Sequence, residues 1–276
     1  MIYIVTNHHK HDKFLNLQAK YIHKYTDADY KVYCGLSDVP DARGAPEYFT
    51  KHSFFDLSSV KNDHGVKMNY LTELIKEKEE IQDNDILVFL DGDAFPIADW
   101  DKQARSHLEG NALSCAYRTE NLEPLMPDEH KPYPHLLFVA AKAKFWVDND
   151  LSWERDVDNG VLAYGPFLKF WLEENGHTTE GLYRSNKVDV HPLFFGVYGD
   201  LIYHHGSSSG NPNVYDSFDV WSRTGLNDTD EVNIKYCDLD LRYPCIPNFN
   251  GNLSELVYQY ITKDDNFIRN FFMGEK

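Results

Sequence analysis

Pairs of aspartates separated by one residue are the most frequent pattern in this sequence that could do chemistry. Eight such pairs occur, so the spacing alone singles out none of them. Asp91 and Asp93 differ from the rest because they directly follow Ile86–Leu90, a run of apolar residues. Such a run predicts a strand covered on both faces. Because ligands bind beyond the carboxyl ends of strands in open α/β sheets, this pair is a candidate binding site.

Two carboxylates leaving a buried strand together are costly unless a cation neutralises them. A hard divalent ion such as Mn²⁺ or Mg²⁺ prefers oxygen ligands of this kind and could bridge them to a diphosphate. Gly92 leaves the backbone between the two aspartates open to close approach. The competing interpretation is a solvated turn at the end of a strand.

Strands and helices alternate in the part of the chain that must position this pair. We predict strands at Ile2–Val5 and Tyr30–Cys34 and near Phe54 and Phe55. Between them, we predict a helix capped by Asp12 and a second helix with its apolar side at Met68, Leu71, Leu74 and Ile75. With the strand at Ile86–Leu90, this alternation predicts a doubly wound α/β domain.

The remaining elements are predicted from shorter patterns. Ala112–Tyr117 and His135–Ala140 are typical of further strands, and Pro166 suits the first turn of a helix that stops at Gly176. Two amphipathic helices are predicted near the end of the chain, one through Leu253–Tyr260 and one through Phe267–Phe272. Without internal repeats or a low-complexity linker, one compact unit is expected.

The segment Asp85–Ile97 resembles the DxD strand of GT-A-fold glycosyltransferases, in which an apolar strand, Asp-x-Asp, a small residue, an apolar residue and proline follow one another. His64–Leu71 resembles the helix before that strand, whose start faces the nucleotide-sugar. The resemblance extends over residues 1–206 in element order. It implies a GT-A-like, Rossmann-like fold with a central mixed, mostly parallel sheet flanked by helices.

The resemblance also implies a division of the chain. Residues 1–206 would form the catalytic domain, with the nucleotide-sugar part at about 1–100 and the acceptor part at about 101–206. Residues 207–276 would form a C-terminal helical extension packed on the same domain.

The activity implied is hexosyl or pentosyl transfer from a nucleotide-diphosphate sugar to a hydroxyl acceptor, a glycan or another molecule, with Mn²⁺ or Mg²⁺ as cofactor. Many members of the fold have a third metal ligand in a short His-containing segment followed by glycine, which matches His204, His205 and Gly206. The side chains of His204 and His205 would point to opposite faces of an extended chain. One of these two histidines is therefore expected to bind the metal together with Asp91 and Asp93. His204 is the preferred ligand.

In inverting members, an acidic residue just before a helix acts as general base by removing the proton of the acceptor hydroxyl. Asp158 best matches that pattern, and Asp156 and Glu154 are alternatives. The sequence departs from the pattern at Gly165 and Pro166, which delay the start of the helix. Inversion of the anomeric centre is the expected outcome.

Other residues are candidates for binding the donor. Thr6 and Asn7, at the carboxyl end of the first strand, would lie beside the base or ribose. Lys67 and Arg118 are cations that could hold the pyrophosphate, although such residues are more often solvated surface charges. Asn69, in the helix segment that resembles the family, is also expected to contact the nucleotide-sugar.

Composition excludes several classes of partner. A formal net charge of −17 repels nucleic acid and anionic lipid. The sequence contains no stretch of ~20 apolar residues, the length needed to span a bilayer. The first residues are too few for a signal-peptide core, and the four cysteines form no CxxC pair. A reducing, cytoplasmic location is therefore expected. His8, His9 and His11 do not match zinc spacing.

Two alternative functions stay open. A nucleotidyltransferase on a related scaffold needs a glycine-rich basic loop after the first strand, and Thr6–Lys10 contains no glycine. A carbohydrate- or metal-binding protein without catalytic activity would keep the same fold. The alternatives differ from the leading interpretation in whether a bound nucleotide-sugar is turned over.

Overall fold

The computed structural model describes residues 1–10, 12–39, 46–118, 132–155, 164–188, 194–206 and 253–275. Asp156 and Asp158, the predicted bases, lie outside these residues, as does His11. Arg118 ends a described strand, but its side chain is outside what the structure describes. Of the extension predicted at 207–276, residues 253–275 are described.

The part of the chain that the structure describes contains ten strands in two sheets. They are β1 (Ile2–His9), β2 (Tyr30–Ser37), β3 (His52–Asp56), β4 (Ile86–Leu90), β5 (Ala94–Pro96), β6 (Leu113–Arg118), β7 (Tyr133–Lys142), β8 (Thr179–Leu182), β9 (Gly196–Tyr198) and β10 (Ile202–His204). Over the described ranges, the main sheet has seven strands in the order β3-β2-β1-β4-β7-β6-β8. The strands β3, β2, β1 and β4 are mutually parallel, β7 runs antiparallel to both neighbours, and β6 pairs with β8 in parallel. The mixed, mostly parallel sheet expected from the sequence is confirmed.

Helices flank this sheet. They are α1 (Leu15–Tyr25), α2 (His64–Lys78), α3 (Asp101–His107), α4 (Ala143–Asp148), α5 (Gly165–Glu174) and α6 (Leu253–Lys263), and a π-helical turn follows at Ile268–Phe272. The predicted cap of the first helix was wrong. Helix α1 begins at Leu15, and its N-cap Phe14 makes no side-chain capping bond. Asp12 instead accepts a backbone hydrogen bond from Leu15 through its carbonyl oxygen, at 2.9 Å.

Strand β4 is buried on both faces, as its unbroken apolar run predicts. Ile86, Val88 and Leu90 belong to one apolar cluster, which includes residues of α1 and α3. Leu87 and Phe89 point the other way, into a cluster with residues of α2, α4 and α5. Helices therefore cover both sides of the strand that ends at Asp91.

A second, antiparallel sheet of three strands, in the order β5-β10-β9, lies beyond the end of β4. Each of its strands has three residues. Strands of this length are too short to show an alternation of apolar and polar residues, so they were not predicted from the sequence. Apolar residues of α6 and of the π-helical turn pack in one cluster with Phe95 and Tyr203 of this sheet. Within the described residues, no helix combines the length and apolar character needed to cross a bilayer.

Candidate metal centre

The turn between β4 and β5 carries Asp91, Gly92 and Asp93 out of the main sheet and into the small one. The amide of Asp91 donates to Leu137 O of β7 at 3.2 Å, and Asp91 O accepts from the amide of Ala94 at 2.9 Å. Gly92 passes directly over β1, so that a β-carbon at this position would lie 2.4 Å from Asn7 O. Glycine is therefore required for the close approach of two backbone segments.

Gln18 of α1 fixes the backbone of this turn. Its Nε2 donates to Asp91 O and to Ala94 O, each at 2.7 Å. Its Oε1 accepts from Thr6 Oγ1 at 3.0 Å and lies 3.1 Å from His8 Nε2. Gln18 is 2% exposed, so both ends of its amide are satisfied inside the protein.

Gln18 was not among the residues predicted from the sequence, although a local signal was present. Gln18 lies three residues after Leu15 and four before Ile22, on the buried side of an amphipathic helix. A polar residue at such a position needs hydrogen-bond partners, because burying an unpaired amide is costly.

His204 reaches the two aspartates because β10 pairs with β5 in a register that places His204 opposite Ala94. His204 Nε2 lies 3.3 Å from Asp93 Oδ1 and 3.7 Å from Asp91 Oδ2. One ligand atom from each of Asp91, Asp93 and His204 can be chosen so that all lie within 4.8 Å of one another. Among the residues that the structure describes, these three form a group that could hold a metal ion.

The charges of these three side chains affect one another's pKa values. Burial favours the neutral form of Asp91, but His64, His204 and the amide of Gly92 outweigh it and hold the pKa of Asp91 below its ordinary value. Burial also opposes the charged form of His204, but Asp93 and Asp91 outweigh it and raise the pKa of His204 to about 9. A cation bound here would have to displace the His204 proton, since a metal ligand must be deprotonated.

His205 has a different environment from His204. Its Nδ1 lies 3.0 Å from the Tyr203 hydroxyl, and its Nε2 lies 2.9 Å from Ser254 Oγ in α6. Its ring contacts Phe14, at 4.7 Å between centroids, and Phe195, at 4.8 Å. Both imidazole nitrogens thus face hydroxyl groups of the core.

His64 is a further side chain at this centre that the sequence analysis did not single out. It is the first residue of α2, and its Nε2 lies 3.5 Å from Asp91 Oδ1. The helix begins here because Asp63 caps it, accepting from the amide of Val66 at 3.1 Å. The start of α2 therefore faces Asp91.

Apart from Asp91, the predicted donor-binding residues lie toward the carboxyl end of β1, on α2 and, for Arg118, at the end of β6. Asn7 Oδ1 accepts from the Ser37 hydroxyl at 3.4 Å. Lys67 is 3% exposed, and its Nζ donates to Asn62 Oδ1 at 3.2 Å. Burial lowers the pKa of Lys67, against the opposing effect of Asp38 and Asp63.

Thr6 and Asn69 are engaged with the protein itself. The Thr6 hydroxyl donates a hydrogen bond to Gln18 Oε1. Asn69 Oδ1 accepts from the amide of Trp153 at 2.8 Å, and Asn69 Nδ2 donates to Trp153 O at 3.1 Å. In this arrangement Asn69 ties α2 to the segment that precedes the predicted bases.

The donor set fits a hard or borderline divalent cation. Two carboxylates and one imidazole suit Mn²⁺ well, and Mg²⁺ also takes carboxylate oxygens. Asp93 is 4% exposed, and placing it beside Asp91 without a compensating charge would be unfavourable. The geometry and the charges of the three residues both favour a cation-binding centre.

Similarity to known proteins is found among solved structures. No protein-family model and no curated protein sequence matches the chain. Among solved structures, the chain is similar to galactosyltransferase LgtC in complex with donor and acceptor sugar analogues, at 12% identity over 89% of this chain and 98% of the other, with a TM-score of 0.42. It is also similar to mannosyltransferase PcManGT from Pyrobaculum calidifontis in complex with GDP-Man and Mn²⁺, at 10% identity over 95% and 79%, with a TM-score of 0.45.

A third similar structure is the glycosyltransferase GlyE from Streptococcus pneumoniae, at 13% identity over 86% of this chain and 63% of the other, with a TM-score of 0.43. All three are glycosyltransferases, the class that the sequence resembles.

Proposed function

We propose that this chain is a divalent-metal-dependent glycosyltransferase, which moves a hexosyl or pentosyl group from a nucleotide-diphosphate sugar to a hydroxyl acceptor. The observation that carries the proposal is the convergence of Asp91, Asp93 and His204 beyond the carboxyl end of β4. In open α/β sheets this edge is where ligands bind. The acceptor would be a glycan or another molecule with a free hydroxyl.

The charge of the protein explains why a metal would be needed. A formal net charge of −17 opposes the approach of a diphosphate. Asp91, Asp93 and His204 would hold Mn²⁺ or Mg²⁺, which supplies positive charge to the departing diphosphate. These three residues would bind the cation. Gln18 fixes the backbone of the turn that carries Asp91 and Asp93.

The rest of the donor would lie along the ends of β1 and β2. Lys67 is buried and interacts electrostatically with His9, the last residue of β1, and with Asp38, which follows β2; it would contribute to holding the nucleotide. Asn7 would offer its amide there, and Thr6 would act indirectly through Gln18. Arg118 and Asn69 complete the set that we propose for donor binding.

We further propose inversion at the anomeric carbon. Asp158 would hold the proton removed from the acceptor hydroxyl, and Asp156 is the alternative. Proton NMR of the product formed from a donor of known anomeric configuration tests this point directly. Retention of configuration would contradict it, whatever the identity of the base.

The main test is titration calorimetry of UDP- and GDP-sugars with and without Mn²⁺. Asp93→Asn preserves the size of the side chain and removes one ligand charge, so we expect metal-dependent donor binding to be lost. Asp29→Asn is the matched control, because Asp29 belongs to another Asp-x-Asp pair and its side chain is 87% exposed. Equal donor affinity in Asp93→Asn and the unmodified protein would refute the assignment.

The same titration separates the alternative functions. Metal-dependent binding of nucleotide-sugars without hydrolysis or transfer across an acceptor panel would indicate a binding protein. Release of pyrophosphate from a nucleoside triphosphate and a sugar phosphate would indicate a nucleotidyltransferase. Slow hydrolysis of a bound nucleotide-sugar, which is water acting as acceptor, is the result we expect.

A further inference from the structure

The two carboxylate oxygens of Asp91 have different neighbours. Oδ1 accepts from the amide of Gly92 at 2.8 Å and lies 3.5 Å from His64 Nε2. Oδ2 lies 3.7 Å from His204 Nε2, on the side of the candidate metal centre. One oxygen thus faces protein donors while the other faces the remaining metal-binding groups.

His64 is placed to act on Oδ1. Its Nε2 is shielded from solvent and makes no hydrogen bond within the described part of the chain, so Asp91 is the acceptor within its reach. The separation of 3.5 Å lies at the outer limit for a hydrogen bond. An N–H at Nε2 would hold Oδ1 together with the Gly92 amide.

The backbone that carries His64 is held from several directions. Asp63 caps α2 and also accepts from the Tyr164 hydroxyl at 2.9 Å and from Arg155. A β-carbon at position 65 would lie 2.4 Å from the Tyr164 ring, so Gly65 lets that ring pack against the first turn of the helix. These contacts fix the position from which His64 reaches Asp91.

We propose that His64 is a positioning residue for the metal centre. It holds Oδ1 of Asp91, so that Oδ2 is the oxygen presented to the cation. Carboxylates that bind metals are themselves hydrogen-bonded, and removal of such partners costs about 10- to 100-fold in metal affinity. This inference rests on the proposed function, because it assumes that Asp91 binds a divalent cation.

The test is the affinity of the full chain for Mn²⁺ alone, measured from the free-ion signal by electron paramagnetic resonance. His64→Ala should weaken Mn²⁺ binding by about 10- to 100-fold. His64→Gln keeps an N–H donor on a side chain of similar reach and should restore most of the affinity. His23→Ala is the control, because His23 is an exposed residue in the last turn of α1.

Two results would overturn the inference. Unchanged Mn²⁺ affinity in His64→Ala would mean that His64 does not act on the centre. An equal loss in His64→Ala and His64→Gln, with unchanged thermal unfolding in both, would mean that the imidazole binds the cation directly. Absence of Mn²⁺ binding in the unmodified protein would instead refute the proposed function, and with it this inference.

Discussion

His205 Nε2 lies 2.9 Å from Ser254 Oγ, and this contact joins the residue beside the candidate ligand His204 to a helix 49 positions further along the chain. The amide of His205 also donates to Asp93 O at 3.1 Å. His205 therefore connects the backbone of the aspartate turn to α6. The C-terminal helix therefore packs behind the strand that carries His204 of the candidate metal centre.

Ser254→Ala should destabilise the protein. The substitution leaves the fully buried Nε2 of His205 without this partner, which costs about 1–3 kcal/mol in the free energy of unfolding. Urea unfolding followed by circular dichroism measures the change. Ser53→Ala, at an exposed position in β3, should change stability by less than about 0.5 kcal/mol. Equal stability of the two variants would show that the contact does not support the fold.

Gly92→Ala should damage the metal centre. The added β-carbon would meet the carbonyl oxygen of Asn7 at 2.4 Å, and backbone cannot move aside as a flexible side chain can. We expect a loss of about 1–3 kcal/mol in stability and, because the aspartates shift, Mn²⁺ affinity weaker by about tenfold or more.

Gly110→Ala is the matched control for this substitution, since a β-carbon there would meet nothing within 4 Å. Calorimetric titration with Mn²⁺ and thermal unfolding of both variants make the comparison. If Gly92→Ala bound Mn²⁺ as tightly as Gly110→Ala, the close approach of the two backbones would not matter for the centre.

Asp63 should make stability depend on pH in the acid range. Burial would raise its pKa, but the amide of Val66, Tyr164 and Arg155 outweigh burial and hold the pKa below its ordinary value. A carboxyl group with a lowered pKa in the folded state contributes stability above its ordinary pKa of about 4, and this stability is lost as pH falls through the folded-state value.

Asp63→Asn tests this dependence, because asparagine still caps a helix but carries no charge for Arg155. Near neutral pH we expect the variant to be less stable by about 1–3 kcal/mol. The difference should shrink as pH falls below about 4 and the wild-type carboxylate takes up its proton. Denaturant unfolding at a series of pH values measures it.

The control for this series is Asp27→Asn, which breaks an exposed ion pair with Lys102. Such pairs contribute less than about 1 kcal/mol. A stability difference for Asp63→Asn that stayed constant across the acid range would argue against an ionised Asp63 in the folded protein.

Some elements followed from sequence because the physical signal is local. The apolar run at Ile86–Leu90 gave strand β4 with the predicted bounds. The helical spacing of Met68, Leu71 and Ile75 gave α2, and all three residues are buried. Local patterns suffice where burial on one or both faces repeats along several residues.

Other features had no local signal. The strands β5, β9 and β10 are too short for periodicity, and β10 exists because it pairs with β5 and β9. In the sequence, Gln18 is one polar residue in a predicted helix. Its hydrogen bonds to the turn at Asp91 and Ala94 depend on the tertiary structure. The contact of His64 with Asp91 likewise joins residues from different elements.

The sequence by itself determined that two aspartates follow a buried strand and that a histidine pair occurs later in the chain. Which histidine faces the aspartates was decided by tertiary structure, because the register of β10 against β5 sets His204 opposite Ala94. The side chain of His205 then lies on the other face, where its ring nitrogens are within hydrogen-bond distance of the Tyr203 and Ser254 hydroxyls. The sequence gives the chemical type of each side chain. The distances between side chains in the candidate site depend on pairing between segments that are far apart in the chain.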